Sequence, residues 1–160
     1  MDEQLNKRKE LLFERRFRNT VINKAAKYQT PIEDIYGLRE KLWNKFKDTT
    51  YCEYCGHELN FYWKKGDPPE GKIYIVSIDH VKPCFKGGGN DQDNFAICCM
   101  GCNLLKGVMS LETFLKLLNA VQRPPHGSPQ LLEDWKIENW TSILASKLDR
   151  ENLRKSDSVD

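Results

Sequence analysis

Apolar residues recur at spacings near three and four at the start of the chain. Leu5, Leu12, Phe13, Phe17 and Val21 describe one face of a helix over residues 3 to about 27, and the opposite face is basic. A second helix is predicted from about residue 30 to 47. Thr30 suits its N-cap, Pro31 its first position and Glu33 the third residue of a capping box, with Ile32, Ile35, Leu38, Leu42 and Phe46 as its buried stripe. From Tyr51 to Gly101 the helical period gives way to short runs between Gly, Pro and Asp. Residues 72–78 (KIYIVSI) are predicted as a strand and residues 86–90 (KGGGN) as a loop. Residues 93–98 and 101–106 are predicted as short helical pieces. Ser110 caps a helix through about Gln122 built on Leu111, Phe114, Leu115, Leu117 and Leu118, which Pro124 and Pro125 stop. A last helix is expected to start near Ser128 and Pro129 and to carry Leu131, Leu132, Trp135, Ile137, Trp140, Ile143, Leu144 and Leu148. A frayed polar tail from Glu151 to Asp160 follows.

At 160 residues the chain has the size of one domain, or of a small catalytic unit with helical attachments. With 39% hydrophobic and 30% charged residues it is too apolar for wholesale disorder. No apolar stretch reaches the roughly 18 to 20 residues that span a bilayer, and the N-terminus lacks the apolar stretch of a signal peptide. An intracellular, cytoplasmic protein that does not engage membranes is therefore expected. Six cysteines without a secretion signal point to metal rather than to a disulfide framework, because reducing compartments keep thiols free.

The net charge of +2 hides an uneven distribution: residues 1–50 hold 12 Lys/Arg against 8 Asp/Glu, whereas residues 51–110 hold 6 against 7. Within residues 7–27, Lys7, Arg8, Lys9, Arg15, Arg16, Arg18, Lys24 and Lys27 stand against only Glu10 and Glu14. Such a face suits phosphate contacts or simple solvation.

Two clusters carry chemistry. Cys52-Glu-Tyr-Cys55-Gly and Cys99-Met-Gly-Cys102 repeat one two-residue spacing, in which paired thiolates on a tight turn grip one tetrahedral ion. Together they predict a four-cysteine structural zinc site. Cys98, Cys84 and His57 could substitute as ligands, but a small core residue, a free thiol and a surface histidine are their simpler readings. The 43 residues between the pairs exceed a simple ribbon's linker, so something substantial is built between them. Inside lies the second cluster, where Asp79 and His80 follow directly on the predicted strand. A carboxylate there can hold a hard cation, and a neutral imidazole can take a proton near pH 7. Alone, such a pair is equally a hydrogen-bonded structural one.

The whole array is C-x-x-C, a strand ending in D-H-x-x-P, a glycine loop, N-F, and C-x-x-C-N-x-x-K-G. Over about residues 51–107 it resembles the HNH endonuclease family in its zinc-bearing form. The resemblance implies a ββα-metal finger braced by the four-cysteine zinc; it does not cover the flanking N- and C-terminal α-helices, which the apolar period predicts, and the whole is expected to be an α+β fold. Residues 1–50 are expected to form a helical extension available to DNA through its basic face, and residues 51–109 the nuclease core. Residues 110–150 form helices packing on that core, and residues 151–160 a flexible tail.

By position, the resemblance makes His80 the general base, Asp79 a ligand of the catalytic cation, and Asn94 the central Asn that orients loop and base. Asn103 stands where the family often has His and completes the cation site. An amide oxygen is a harder, weaker ligand than imidazole, so Mg²⁺ or Mn²⁺ is expected beside the structural Zn²⁺. Lys106, Lys82, Arg15, Arg16 and Arg18 are the expected substrate contacts. The implied activity is metal-dependent hydrolysis of DNA phosphodiesters leaving 5′-phosphate and 3′-hydroxyl ends. The alternative is a zinc-dependent nucleic-acid-binding module without catalysis; a structural zinc protein that joins partners through its helices would make the reactive set a coincidence. DNA is the implied partner, and a homodimer or a larger phage or cellular complex stays open.

Overall fold

The computed structural model describes residues 3–62, 64, 67 and 69–122. The prolines at 124 and 125, the helix expected after Ser128 and the tail from Glu151 lie outside the described residues. The chain divides into two compact units, Met1–Phe114 and Leu115–Asp160, and the site lies in the first. No helix among the described residues is long and apolar enough to cross a membrane.

Helix α1 (Glu3–Phe17) continues through a π-helical turn, Arg18–Ile22, into α2 (Asn23–Tyr28). Phe13, Phe17, Val21 and Ala25 are spaced strictly by four and all are buried. In a 3.6-residue helix that spacing drifts by about 40° per step, and the wider π turn takes up the drift. Gln29, in the left-handed region at φ 53°, ends the helix.

Helix α3 (Ile35–Asp48) starts later than the sequence suggests. Asp34 is the cap, its Oδ1 accepting from the Gly37 N–H at 2.8 Å, so Thr30, Pro31 and Glu33 lie in the connection instead. Of the expected stripe, Leu38, Leu42 and Phe46 are buried, while Ile35 is more than a third exposed. Two capping signals compete within five residues, and the carboxylate next to the apolar run prevails. Phe13 packs on Trp43 and Phe46 with ring centroids 5.3 and 5.4 Å apart, and Phe46 meets Phe61 edge-on at 5.7 Å. This aromatic cluster binds α1 and α3 to the chemical segment.

That segment opens with the first cysteine turn and a short helix, α4 (Pro69–Ile73). It then forms an antiparallel hairpin of β1 (Val76–His80) and β2 (Phe95–Cys99), closed by α5 (Met100–Lys106). The register pairs Val76 with Cys99, Ile78 with Ile97 and His80 with Phe95, and every residue of both strands is buried. The first strand thus lies four residues later at its start than expected at 72–78. Residues 93–98, expected as a helical piece, belong instead mostly to β2. A short apolar run such as Phe-Ala-Ile-Cys-Cys has no period that distinguishes strand from helix; pairing with β1 decides it. The product is an α+β fold, a ββα finger with the four cysteines gathered at one end. Arg16 and Lys45 fasten the helices to it: Arg16 Nε donates to Val76 O at 3.2 Å and Lys45 Nζ to Phe95 O at 2.8 Å. Helix α6 (Leu111–Gln122) starts as expected, the Ser110 hydroxyl accepting from the Thr113 N–H at 3.2 Å.

Candidate active site

The first cysteine turn docks on the hairpin through Glu53 N–H to Ile97 O at 3.1 Å, and the second begins where Met100 N–H reaches Ile75 O at 2.8 Å. The Sγ atoms of Cys52, Cys55, Cys99 and Cys102 consequently lie within 4.8 Å of one another, with Cys55 and Cys99 at 3.9 Å. A tetrahedral ion with Zn–S bonds of about 2.3 Å needs sulfurs about 3.8 Å apart, so this donor set fits zinc. Backbone N–H groups point at the sulfurs as a thiolate cluster requires: Cys99 N to Cys52 Sγ at 3.2 Å and Cys102 N to Cys99 Sγ at 3.3 Å. Hydrogen bonding from Cys102 is the largest influence on Cys52 and brings its thiol down to about 7, while Cys102 itself is pushed up by its contacts to Cys52, Cys55 and Cys99. Gly56 closes the turn at φ 72°, with its N–H on Cys52 O. The competing candidates fall outside the cluster. Cys98 is fully buried and burial pushes its thiol well up, Cys84 is buried in a 3₁₀ turn, and the His57 ring stacks on Tyr74 at 4.9 Å.

His80 ends β1, 2% exposed, with its ring tilted on Phe95 at 4.4 Å. Its Nε2 lies 3.1 Å from Asn90 Oδ1. Asn90 Nδ2 in turn donates to Thr30 O, Thr30 Oγ1 and Pro31 O, each at 3.2 Å. Carbonyl oxygens only accept, so the amide nitrogen must face Thr30 and Pro31, and the amide oxygen must face His80. The proton of the neutral ring is thereby assigned to Nε2 and the lone pair to Nδ1. Nδ1 is buried and has no hydrogen-bond partner among the described residues. Burial, aided by the charges of Lys24 and Lys106, holds the imidazole below its usual pKa of 6.5 against the upward pull of Asn90 and Asp79.

Asn94 acts one layer further out. Its Nδ2 donates to Lys82 O at 3.0 Å and Gly89 O at 2.8 Å, and its Oδ1 accepts from the Lys82 N–H at 2.8 Å. The glycine loop is thus clamped against the chain leaving β1. A Cβ at Gly88 would sit 1.9 Å from Lys82 O, so only glycine fits that approach. Asn94 reaches His80 through the backbone alone, whereas Asn90 touches it.

Asp79 points to the other face of β1, 3% exposed. Its Oδ2 accepts from Lys106 Nζ at 2.8 Å and from the Tyr54 hydroxyl at 2.9 Å; burial first, then the Asp79 charge, pushes that phenol's pKa up. Asn103, three residues before Lys106 on α5, donates its Nδ2 to Ser77 Oγ at 2.8 Å and Ile78 O at 3.1 Å. Neither Asp79 Oδ1 nor Asn103 Oδ1 accepts a hydrogen bond among the described residues. Lys106 is fully buried, and its ammonium is spent on Asp79 and on His80 O at 2.8 Å. It has no surface to offer a phosphate and instead ties α5 to the end of β1.

Among the other expected substrate contacts, Arg15, Arg18 and Lys82 are exposed. Arg16 is committed to Val76 O, and Lys9, on the same helix, donates to Lys47 O at 2.9 Å. Sequence reasoning missed Asn90 and Tyr54. An Asn directly after three glycines was the available signal for the first; Tyr54, between two zinc-type cysteines, carried none. Compared with known families, residues 52–108 match the HNH endonuclease model. Comparison with curated proteins and with solved structures gives no match.

Proposed function

We propose that this chain, which carries an HNH endonuclease domain over residues 52–108, hydrolyses DNA phosphodiester bonds with His80 as general base. The observation that carries the proposal is the state of the His80 ring: Nε2 is held by Asn90, and Nδ1 is without a partner in a buried site. A purely structural histidine normally has both nitrogens satisfied, because an unpaired buried acceptor costs about 1 to 3 kcal/mol.

His80 Nδ1 takes a proton from water, and the resulting hydroxide attacks phosphorus in line with the 3′ oxygen. The P–O3′ bond breaks, the 3′ oxygen is protonated from solvent, and 5′-phosphate and 3′-hydroxyl ends remain. Asp79 and Asn103 are the residues that would hold a divalent cation, Mg²⁺ or Mn²⁺, which would supply positive charge for the transferring phosphate. Lys106 and Tyr54 hold the Asp79 carboxylate in place, Ser77 and Ile78 hold Asn103, and Asn94 fixes the backbone on which His80 stands. The cysteine cluster, loaded with zinc, takes no part in the chemistry and pins the first cysteine turn to α5.

The test is incubation of the zinc-loaded protein with supercoiled plasmid and Mg²⁺, Mn²⁺ or EDTA, with His80→Ala alongside. Nicked or linear product that requires the cation and is lost in His80→Ala is expected. Plasmid that is bound but never cut under any cation would replace the proposal with a zinc-dependent binding module.

A further inference from the structure

Helix α2 packs against the 3₁₀ turn Cys84–Lys86, which begins four residues after His80 at the end of β1. Two aromatic rings meet at this junction, Tyr28 and Phe85, with centroids 6.3 Å apart. Burial of such rings is the usual outcome, yet these are 38% and 48% exposed. Each carries an ammonium: Lys27 Nζ lies 5.2 Å from the Tyr28 ring centre and Lys86 Nζ 5.7 Å from that of Phe85. Lys82 lies along the glycine loop, its Nζ 3.8 Å from where a Cβ of Gly87 would stand. Lys24, one turn before Tyr28, projects its charge onto His80.

The two segments that meet here carry charge of one sign, while Glu33, Asp34 and Asp91 line the cleft on the other side of the glycine loop. Residues 18–29 and 81–90 contribute Arg18, Lys24, Lys27, Lys82 and Lys86 and contain no Asp or Glu. Clustered ammonium groups on these two segments call for an anionic partner, and exposed rings among them call for a flat apolar one. A nucleic acid strand with unstacked bases supplies both. A duplex would offer only its phosphates here, because its base faces are covered by their neighbours.

We infer that Tyr28 and Phe85, ringed by Lys24, Lys27, Lys82 and Lys86, bind unpaired nucleotides of the substrate strand next to the phosphate presented to His80. The inference rests on the nuclease proposal for the identity of the strand and adds to it the structural class of the substrate: DNA that is single-stranded, or locally opened, beside the cut. The bases stack on the rings while the lysines follow the phosphates.

The experiment is fluorescence anisotropy on the zinc-loaded full chain without added divalent cation, using a labelled mixed-sequence strand of about 20 nucleotides and the same strand as a duplex. Phe85→Leu and Tyr28→Leu keep apolar bulk and remove the ring. Each is expected to weaken single-strand binding roughly fivefold to a hundredfold and to leave duplex binding unchanged. Lys27→Gln with Lys86→Gln should weaken both and flatten the salt dependence for the single strand by about 0.7 per lysine in the log–log slope. Zinc content equal to the parent's verifies folding. Ring variants that bind the single strand like the parent, or that lose single strand and duplex alike, overturn the inference, as does a parent that binds neither. Cleavage does not enter the readout. Ring-dependent binding without plasmid cutting would leave this surface standing and remove the nuclease proposal, and cutting without ring-dependent binding would do the reverse.

Discussion

The Nε2 of His80 and the Oδ1 of Asn90 lie 3.1 Å apart, and the amide nitrogen of the same Asn90 is spent on Thr30 and Pro31. A hydrogen-bond chain therefore runs from the connection before α3 to the imidazole and leaves Nδ1 as its basic nitrogen.

Asn90→Ala removes the acceptor that fixes the ring. Under the nuclease proposal kcat should fall roughly 10- to 100-fold, with KM and zinc content little changed. Asn90→Asp, which keeps an oxygen toward Nε2, should recover part of the rate. Nitrogen NMR of the His80 ring should show the Nε2–H tautomer in the parent and a mixture in Asn90→Ala. A variant with parental kcat and an unchanged tautomer would remove Asn90 from the site.

Lys106→Met leaves the Asp79 carboxylate buried without its cation. Breaking a buried pair in this way costs about 3 to 5 kcal/mol, to be read from the urea midpoint with zinc in excess. Lys106→Met combined with Asp79→Leu should recover much of that stability and remain inactive. Were Lys106 a phosphate contact instead, the single variant would unfold like the parent and lose only DNA affinity.

Cys102→Ser should release zinc and unfold the finger, because zinc binding contributes on the order of 10 kcal/mol, comparable to the whole stability of a small domain. Metal analysis and circular dichroism of the purified variant decide the matter. Cys98→Ser, which removes a buried thiol outside the cluster, should keep its zinc; loss of metal there would mean that the ligand has been assigned to the wrong neighbour.

Arg15 and Arg18 are exposed, whereas Arg16 holds β1 through Val76 O. Replacing Arg15 and Arg18 with Gln should lower duplex DNA affinity and flatten its salt slope by up to about 0.9 per residue without changing stability. Arg16→Gln should do the opposite, lowering the urea midpoint and leaving the salt slope alone. Equal slopes in all three proteins would return this helix face to a solvated surface.

Much of the chemistry was legible because it depends on spacing. A C-x-x-C turn is a local geometry, so the two pairs announced the four-cysteine cluster, and Cys99 rather than Cys98 as its member followed from the two-residue gap alone. The long helices were legible for the same reason, since an amphipathic period is a property of the segment itself. What folding decided was every partnership across the chain. β2 was invisible because Phe95–Cys99 is apolar on both faces, and only β1 makes it a strand. Thr30 and Pro31 read as a helix start by local propensity and serve instead as acceptors for an amide 60 residues away. Lys106 read as a phosphate ligand because sequence carries charge but not burial; in the fold it is the buried counter-ion of Asp79. The residue types of the site were written in the sequence. Which nitrogen of His80 is free, and which oxygen of Asp79 is taken by Lys106 and Tyr54, depends on hydrogen bonds between distant segments, and these exist only once the hairpin, α5 and the N-terminal helices have closed on one another.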